Sequence, residues 1–426
     1  MSEQFKDSPL GRIPKGWRST TLGEAADYIN GFAFKPHHWR ESGLPIIRIA
    51  QMLDPLESVD RCPVAIPERH VVQDGELLFS WSATLAVVVW DRGPALVNQH
   101  IFRVVPRGGI HRNFLYHLLS ASMDRLAAQS HGTTMKHVTR GDLLPFAVVI
   151  PPEDEQCRIA DVLDTVDDAI RQTERVIAKL EQVKVGMLQD LLTRGIDDNG
   201  EVRDPERHPE QFKDSPLGRI PKGWTTGELN SVVDSSRPIV YGILMPGPSI
   251  SGGVPVVKVK DIRNDEVDQS QLLLTSRAID FEYRRSRLQS GDLLFTIRGT
   301  VGRMAFVPLE LAGGNITQDT ARLAIVSADP RFVRHYLAMP VPSAFIETHT
   351  IGQAVKGINL RELRRVPLAL PPVAEQCCLA DQLSAVDARV RQEHALASCL
   401  RSTRAGLADD LLTGRVRVNA RVGAPS

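Results

Sequence analysis

The chain has 426 residues, 42% hydrophobic and 24% charged, and its 51 basic and 51 acidic side chains leave no formal net charge. This is the make-up of an ordinary globular protein of two or three domains. No stretch approaches the roughly 18 uninterrupted apolar residues of a bilayer crossing; the longest run, Leu85 to Trp90, is far shorter.

Along the chain, a Gly/Pro-rich opening ends at Trp17. Strand-length apolar runs follow at Leu44–Ile49, Glu76–Phe79, Leu85–Trp90 and Ile101–Val105, with turn signals such as Asp74-Gly75 between them. A helix is expected over Asn113–Gln129. Pro151-Pro152 then opens a long helix, with Glu153, Asp154 and Glu155 suited to its positive end. A second Gly/Pro-rich opening ends at Trp224, and strands are expected at Val254–Val259, Asp292–Ile297, Met304–Val307 and Ala321–Val326. A helical stretch near Arg331–Thr348 is interrupted by Pro340 and Pro342. Pro371-Pro372 opens another long helix.

The two halves are one unit written twice. Gln4 to Trp17 recurs without a change as Gln211 to Trp224, 207 residues on. Further along the likeness loosens. Gly75-Glu76-Leu77-Leu78-Phe79 resembles Gly291-Asp292-Leu293-Leu294-Phe295, and Gln99 and Arg103 match Gln318 and Arg322. Glu155-Gln156-Cys157 matches Glu375-Gln376-Cys377 at an offset of 220, so the second unit holds about thirteen extra residues inside. Tight frames with divergent interiors suit two modules doing one job on different targets.

In the first long helix Ile159, Leu163, Val166, Ile170, Thr173, Ile177, Leu180, Lys184, Met187 and Leu191 alternate steps of four and three. Leu379, Leu383, Val386, Val390, Glu393, Ala397, Leu400, Arg404, Leu407 and Leu411 repeat them. Eight of ten positions are apolar in each copy and the polar breaks coincide. A 3.5-residue repeat sustained over four heptads predicts helices that pair with each other in one register. The expected fold is therefore mixed α/β (α+β). A globular part spans residues 1–150, a helix 151–194, a linker 195–210, a second globular part 211–370, a second helix 371–414 and a tail 415–426.

Charge is unevenly spread: +2 over residues 1–150, −6 over 151–200, +5 over 211–370 and +1 over 371–426. The globular parts can meet phosphates while the acidic first helix stays away from them. The start, Met1-Ser2-Glu3-Gln4, has an early charge and no apolar signal core, which predicts a cytoplasmic protein. Cys62, Cys157, Cys377, Cys378 and Cys399 form no CxxC pair, and reduced thiols are expected.

Catalytic signatures are missing. There is no GxxxxGK[ST] loop, no GxGxxG after a strand, no HExxH and no GxSxG. The Pro-Pro pairs follow Ile150 and Leu370, which cannot supply the polar side chain of an adenine-methylating motif. His37-His38 reads as surface, and no metal site is expected. A binding protein is favoured over an enzyme.

The combination resembles the specificity subunits of type I restriction–modification systems. It is carried by the Pro-Leu-Gly-x-Ile-Pro-x-Gly-Trp openings, by Gly291-Asp292-Leu293-Leu294-Phe295-Thr296-Ile297-Arg298-Gly299-Thr300-Val301-Gly302, and by Lys356-Gly357-Ile358-Asn359. The Pro-Pro-x-x-Glu-Gln helix starts and the Asp-Leu-Leu-Thr near each helix end complete it. The resemblance implies two target-recognition domains joined by two antiparallel helices, double-stranded DNA with a bipartite site as target, and two modification subunits and restriction subunits as partners. S-adenosylmethionine, ATP and Mg are expected in those partners and no cofactor in this chain. The first half departs from the pattern at Trp81-Ser82-Ala83-Thr84-Leu85-Ala86 and Lys136-His137-Val138-Thr139, which fits two different half-sites.

Phosphate contacts should come from Arg and Lys and base choice from a few side chains at base edges. The candidates are Arg48, Gln51, Trp81, Arg103, Lys136 and His137 in the first half, and Lys258, Lys260, Arg298, Arg303, Arg322 and Lys356 in the second. A methylation-only or other phage-defence complex, or a coiled-coil scaffold that binds no nucleic acid, remains an alternative at this point.

Overall fold

The computed structural model describes residues 5–129, 138–352 and 355–418. It is mixed helix and sheet throughout. The chain forms two compact units. One combines the residues up to Arg175 with those from His394 on, and the other is Val176–Glu393.

In the first unit the opening segment is a hairpin of Phe5–Ser8 and Gly11–Pro14. Arg18–Thr21 pairs antiparallel with Ala147–Ile150, so the start and end of the globular part are sewn together. Between them, an antiparallel sheet has the order Ala26–Asn30, Ile101–Pro106, Leu77–Ser80, Ala86–Val89. A second sheet has Leu44–Ile47 and Ala95–Val97 running parallel at its centre. Successive strand residues face opposite ways. Leu77 and Phe79 thus enter the main core with Phe102, Val104 and the helix Arg112–Gln129, while Leu78 enters a smaller core with Ile47, Val97 and Ile101. A strand buried on both faces has no polar alternation, and this one reads as a continuous apolar run.

The second unit repeats the plan. Its hairpin is Phe212–Ser215 with Gly218–Pro221, and Thr225–Glu228 pairs with Pro367–Leu370. A sheet has the order Val240–Tyr241, Thr320–Leu323, Leu293–Thr296, Met304–Phe306. Val254–Val257 and Asn315–Ile316 run parallel in the neighbouring sheet. Leu293 and Phe295 face the main core and Leu294 the smaller one. Gly31 and Gly242 occupy the same place in the two units. A Cβ on Gly31 would stand 2.1 Å from the carbonyl oxygen of Asn98, and one on Gly242 1.9 Å from that of Ile316, so only glycine lets these segments approach.

Several strands are shorter than the apolar runs suggest. Leu44–Ile47 stops because the amide of Arg48 turns to the side chain of Gln51, opening the single turn Ile49–Leu53. Val254–Val257 stops the same way, with the Lys258 amide bonded to Asp261. Near its C-terminal end the second unit has two helices, Pro330–Leu337 and Pro340–Thr348, each with proline in its first turn.

The long helices are Glu153–Arg194 and Val373–Thr413, of 42 and 41 residues, each about 60 Å at 1.5 Å per residue. Ile159, Leu163, Ile177, Leu191, Leu379, Leu383, Ala397 and Leu411 are buried, and Val166, Ile170, Leu180, Val386, Val390, Leu400 and Leu407 are half-buried. In the first unit Ile159, Ala160 and Leu163 share a core with Ala408, Leu411 and Leu412. There Glu155 meets Arg417 and Asp167 meets Arg404, so the two segments run antiparallel. In the second unit Leu191 and Leu192 share a core with Leu379, Ala380 and Leu383, and Lys184 meets Asp387 at 2.6 Å.

Two of the four polar breaks in the heptads thus have partners on the facing segment. Lys184 and Arg404 are the same position of the repeat, and each reaches the aspartate on the facing helix segment of its own unit. His117 adds to the first cluster, 3.2 Å from Arg404, and His335 to the second, 4.0 Å from Asp387. A polar pair inside an apolar seam costs stability and selects register.

Candidate nucleic-acid interface

Two loops that differ in sequence between the copies each join a central strand to its hairpin partner, and both are built alike. In the first unit the Ser80 hydroxyl donates to the Thr84 carbonyl at 2.5 Å and accepts from the Ala86 amide at 2.9 Å. In the second the Thr296 hydroxyl donates to the Thr300 carbonyl at 2.5 Å and accepts from the Arg303 amide at 2.9 Å.

The residue after each hydroxyl is clamped on both sides. The Trp81 amide donates to the His100 carbonyl, and its own carbonyl accepts from Val138 at 3.0 Å. The Ile297 amide donates to the Asp319 carbonyl at 2.8 Å, and its carbonyl accepts from Ile358 at 2.9 Å. Three segments distant in sequence therefore converge at one end of the sheet in each unit.

In the second unit this brings two predicted cations together. The Gly299 amide donates to the Lys356 carbonyl at 2.8 Å, and Arg298 and Gly357 form a bridge. Arg298 keeps 60% of its side chain in solvent, and its nearest carboxylate, on Asp319, is 3.9 Å away. Lys356 is exposed. Beside them opens a cavity of about 560 Å³, lined by Tyr241, Leu244, Ile297, Arg298, Gln318 and Ile351 among others. Tyr241, Leu244 and Ile351 are exposed apolar groups at its rim. Arg303 is exposed on the same loop, with its guanidinium on the Ile262 carbonyl, and Lys258 and Lys260 lie at the turn that ends Val254–Val257.

Other predicted residues are held for the fold. Gln51 is buried, donating to the Ser58 carbonyl at 2.6 Å and accepting from the Arg48 amide. Arg48 pairs with Asp60 at 2.8 Å and lies over the Trp39 ring. Arg103 is half-buried against Glu76. Trp81 packs on the core and donates from its indole to the Gln99 carbonyl at 3.2 Å. Arg322 is 1% exposed and donates to the Pro238 carbonyl at 3.0 Å. Lys136 and His137 lie outside the described residues.

Two residues that the sequence reading matched but did not single out now stand at both sites. The side-chain oxygens of Gln99 and Gln318 are buried without a hydrogen-bond partner among the described residues, immediately before the carbonyls that clamp Trp81 and Ile297. Their recurrence in the repeat was the available signal. Among the described residues no group of His, Cys, Asp and Glu could hold a metal, and no helix is long and apolar enough to cross a membrane.

Comparison with known proteins points to one family. Residues 14–182 match the family model described as the type I restriction modification DNA specificity domain. The specificity subunit of the type I restriction enzyme EcoBI from Escherichia coli is 29% identical over 373 residues, covering 85% of this chain and 78% of that protein. The chain is similar to the type I restriction–modification specificity subunits. The MjaVIII specificity subunit of Methanocaldococcus jannaschii is 22% identical and aligns over 98% of this chain and 96% of its own. The crystal structure of a type I system S subunit from M. genitalium shares the fold, with a TM-score of 0.61 over 97% of this chain and 99% of that one, at 13% identity. Specificity subunits are the non-catalytic DNA-recognition components of such systems.

Proposed function

We propose that this specificity subunit reads a bipartite DNA site, one half through each unit, at the end of the sheet where the three segments converge. The observation that carries the reading is the repeated clamp. The same hydroxyl and backbone hydrogen bonds hold Trp81–Thr84 in one unit and Ile297–Thr300 in the other, while the side chains displayed differ. A conserved scaffold with changed side chains is what reading two different base tracts requires, because base edges are told apart by side-chain donors and acceptors. Residues 1–150 and 211–370 are the two target-recognition domains in this reading, and residues 195–210 link the halves.

Arg298 and Lys356 are the leading contacts in the second half-site, being exposed cations on fixed backbone. Lys258, Lys260 and Arg303 are placed for phosphates, and Gln99 and Gln318 supply unused hydrogen-bonding capacity. Arg48 and Arg103 already have carboxylate partners, so their contacts to DNA would have to compete with these.

The two long helices set the unspecific spacer and dock two modification subunits, with restriction subunits joining them. S-adenosylmethionine, ATP and Mg belong to those partners. The subunit should be co-expressed with its cognate modification subunit and the methylated adenines mapped. Exchanging residues 1–150 for those of a relative should change one half-site only, and a turn inserted after Leu188 should lengthen the spacer with both half-sites kept. Arg298→Gln should relax the second half-site or lower the salt dependence of binding by about one phosphate contact. A first half-site changed by Arg298→Gln, a second half-site changed by the exchange of residues 1–150, or an unchanged spacer contradicts the reading.

A further inference from the structure

The second unit holds a cavity of about 790 Å³ that the DNA-reading surface does not use. Val240–Tyr241 and Leu293–Thr296 both run antiparallel to Thr320–Leu323 between them, so their starts lie at one end of the sheet and their exits at the other. Arg298 and Gln318 are at the exit end. The cavity is walled by Arg237 and Ser290 at the starting end, together with Arg284, Arg285, Arg287 and Arg322.

Five guanidinium groups thus surround one space, and carboxylates neutralise only two of them. Arg237 makes a two-pronged pair with Asp292, at 2.9 and 2.6 Å, and Arg287 pairs with Asp280 at 2.8 Å. Both aspartates have further commitments, Asp292 to the Gln289 amide and Asp280 to Asn315. Arg284 lies over the Phe281 ring and donates to the Phe281 carbonyl. Arg285 is exposed and has no ion pair among the described residues. Arg322 is 1% exposed, and its Nε has no hydrogen-bond partner among the described residues. Of the charges around Arg322, Arg237 opposes its own, and Asp292 and Asp234 favour it. Asp234 is occupied by Ser236. A buried cation with an idle donor is costly unless a counter-charge reaches it.

We propose that this cavity is an oxyanion site that takes a phosphate group, with Arg285 and Arg322 supplying the donors the fold leaves idle. Guanidinium groups match phosphate oxygens in pairs, and several converging from different segments give a phosphate-specific cradle rather than a diffuse basic face. The cavity is roomy enough for a phosphate that is part of a larger molecule. Either a free phosphate ligand, inorganic phosphate or a nucleoside diphosphate, or the backbone of a duplex can present that group. The inference stands apart from the reading of bases at the opposite end of the sheet.

The test uses the full chain at constant ionic strength, with chloride as the reference anion. Inorganic phosphate and ADP are titrated by calorimetry against the unaltered protein, Arg285→Gln and Arg322→Met. Arg285 is exposed, so Arg285→Gln keeps the fold, as circular dichroism would verify. Saturable one-to-one binding is expected, weakened about tenfold or more in Arg285→Gln, as loss of a charged hydrogen bond implies. Arg298→Gln should leave it unchanged, which separates this site from the base-reading one. A short duplex of unrelated sequence identifies the source. If it displaces phosphate, and Arg285→Gln also weakens duplex binding, the group belongs to the backbone; if phosphate and duplex bind together, the ligand is free. Absence of saturable binding, or equal affinity in a folded Arg285→Gln protein, overturns the proposal.

Discussion

The indole N–H of Trp17 donates to a carboxylate oxygen of Glu155 at 3.0 Å, deep in the first unit, where both residues are almost wholly buried. In the second unit Trp224 does the same to Glu375 at 3.2 Å. The bond explains two motifs at once. The opening segment ends in tryptophan because that ring closes over the start of the long helix, and the helix start carries glutamate because the indole needs an acceptor. Arg417 completes the first arrangement and Arg203 the second. Burial pushes the Glu155 carboxyl up, but hydrogen bonds from Arg417 and Trp17 outweigh this and hold it below the usual range. Trp17→Phe keeps most of the ring and removes the donor. It should lower the stability of the first unit by about 1–2 kcal/mol. Urea unfolding followed by circular dichroism measures this, and an unmoved midpoint would contradict it.

Lys184→Met should destabilise the second unit by about 1–3 kcal/mol. It leaves Asp387, 5% exposed, with Arg334 at 3.2 Å as its remaining strong partner. Replacing Lys184 and Asp387 together by leucine should recover part of the loss, because removing a whole buried pair costs less than removing half of one. A double variant no more stable than Lys184→Met would argue that the pair is not the unit of stability here.

His335 makes the second unit sensitive to mild acid. Burial first, and then the neighbouring Arg334 charge, push its pKa down to about 4 from an ordinary 6.5. The unfolded chain therefore takes up a proton before the folded one does. Stability is complete above pH 6.5 and falls as pH drops from 6.5 toward 4. His335→Leu should flatten that limb in thermal melts collected across pH 4 to 7. An equal slope in the variant would assign the acid sensitivity to another group.

Ala83 sits at φ 59°, in the left-handed region, where the repeat places Gly299 at φ 78° in the other unit. An alanine there is strained by about 1 kcal/mol. Ala83→Gly should relieve this and raise first-unit stability by about 0.5 kcal/mol after the extra freedom of glycine in the unfolded chain is counted. A loss of stability would mean that the loop depends on its Cβ.

Much of this architecture was legible from spacing. Proline pairs and acidic first turns fix where the long helices start, and the four–three stepping from Ile159 to Leu191 marks the face that becomes buried. What spacing could not reveal is which charged side chains already have partners. Glu76 lies 27 residues from Arg103 and Asp292 lies 55 from Arg237. Only the sheet pairing brings them together, so Arg103 stood among the candidates beside Arg298. Gln51 was opaque for a related reason. A glutamine four residues after a strand can read a base or cap a turn, and the distinction depends on where the Ser58 carbonyl comes to lie. Arg322 follows an apolar strand pattern in which one position faces a cavity instead of a core, and no periodicity separates the two.

The first unit's core contains Ala408, Leu411 and Leu412 alongside Ile13, Trp17 and Leu22. Nearly four hundred residues separate the two sets in the chain. At a synthesis rate of about 5–20 residues per second, the N-terminal sheets, complete at Ile150, wait on the order of 10–50 s at the ribosome for the segment that covers them. The second unit is continuous and has all its parts available sooner. Its closure can precede that of the unit translated first, and during the interval the exposed leucines of the N-terminal core are open to chaperones and proteases. A C-terminal truncation would thus be felt at the opposite end of the sequence, as a defect in the N-terminal unit.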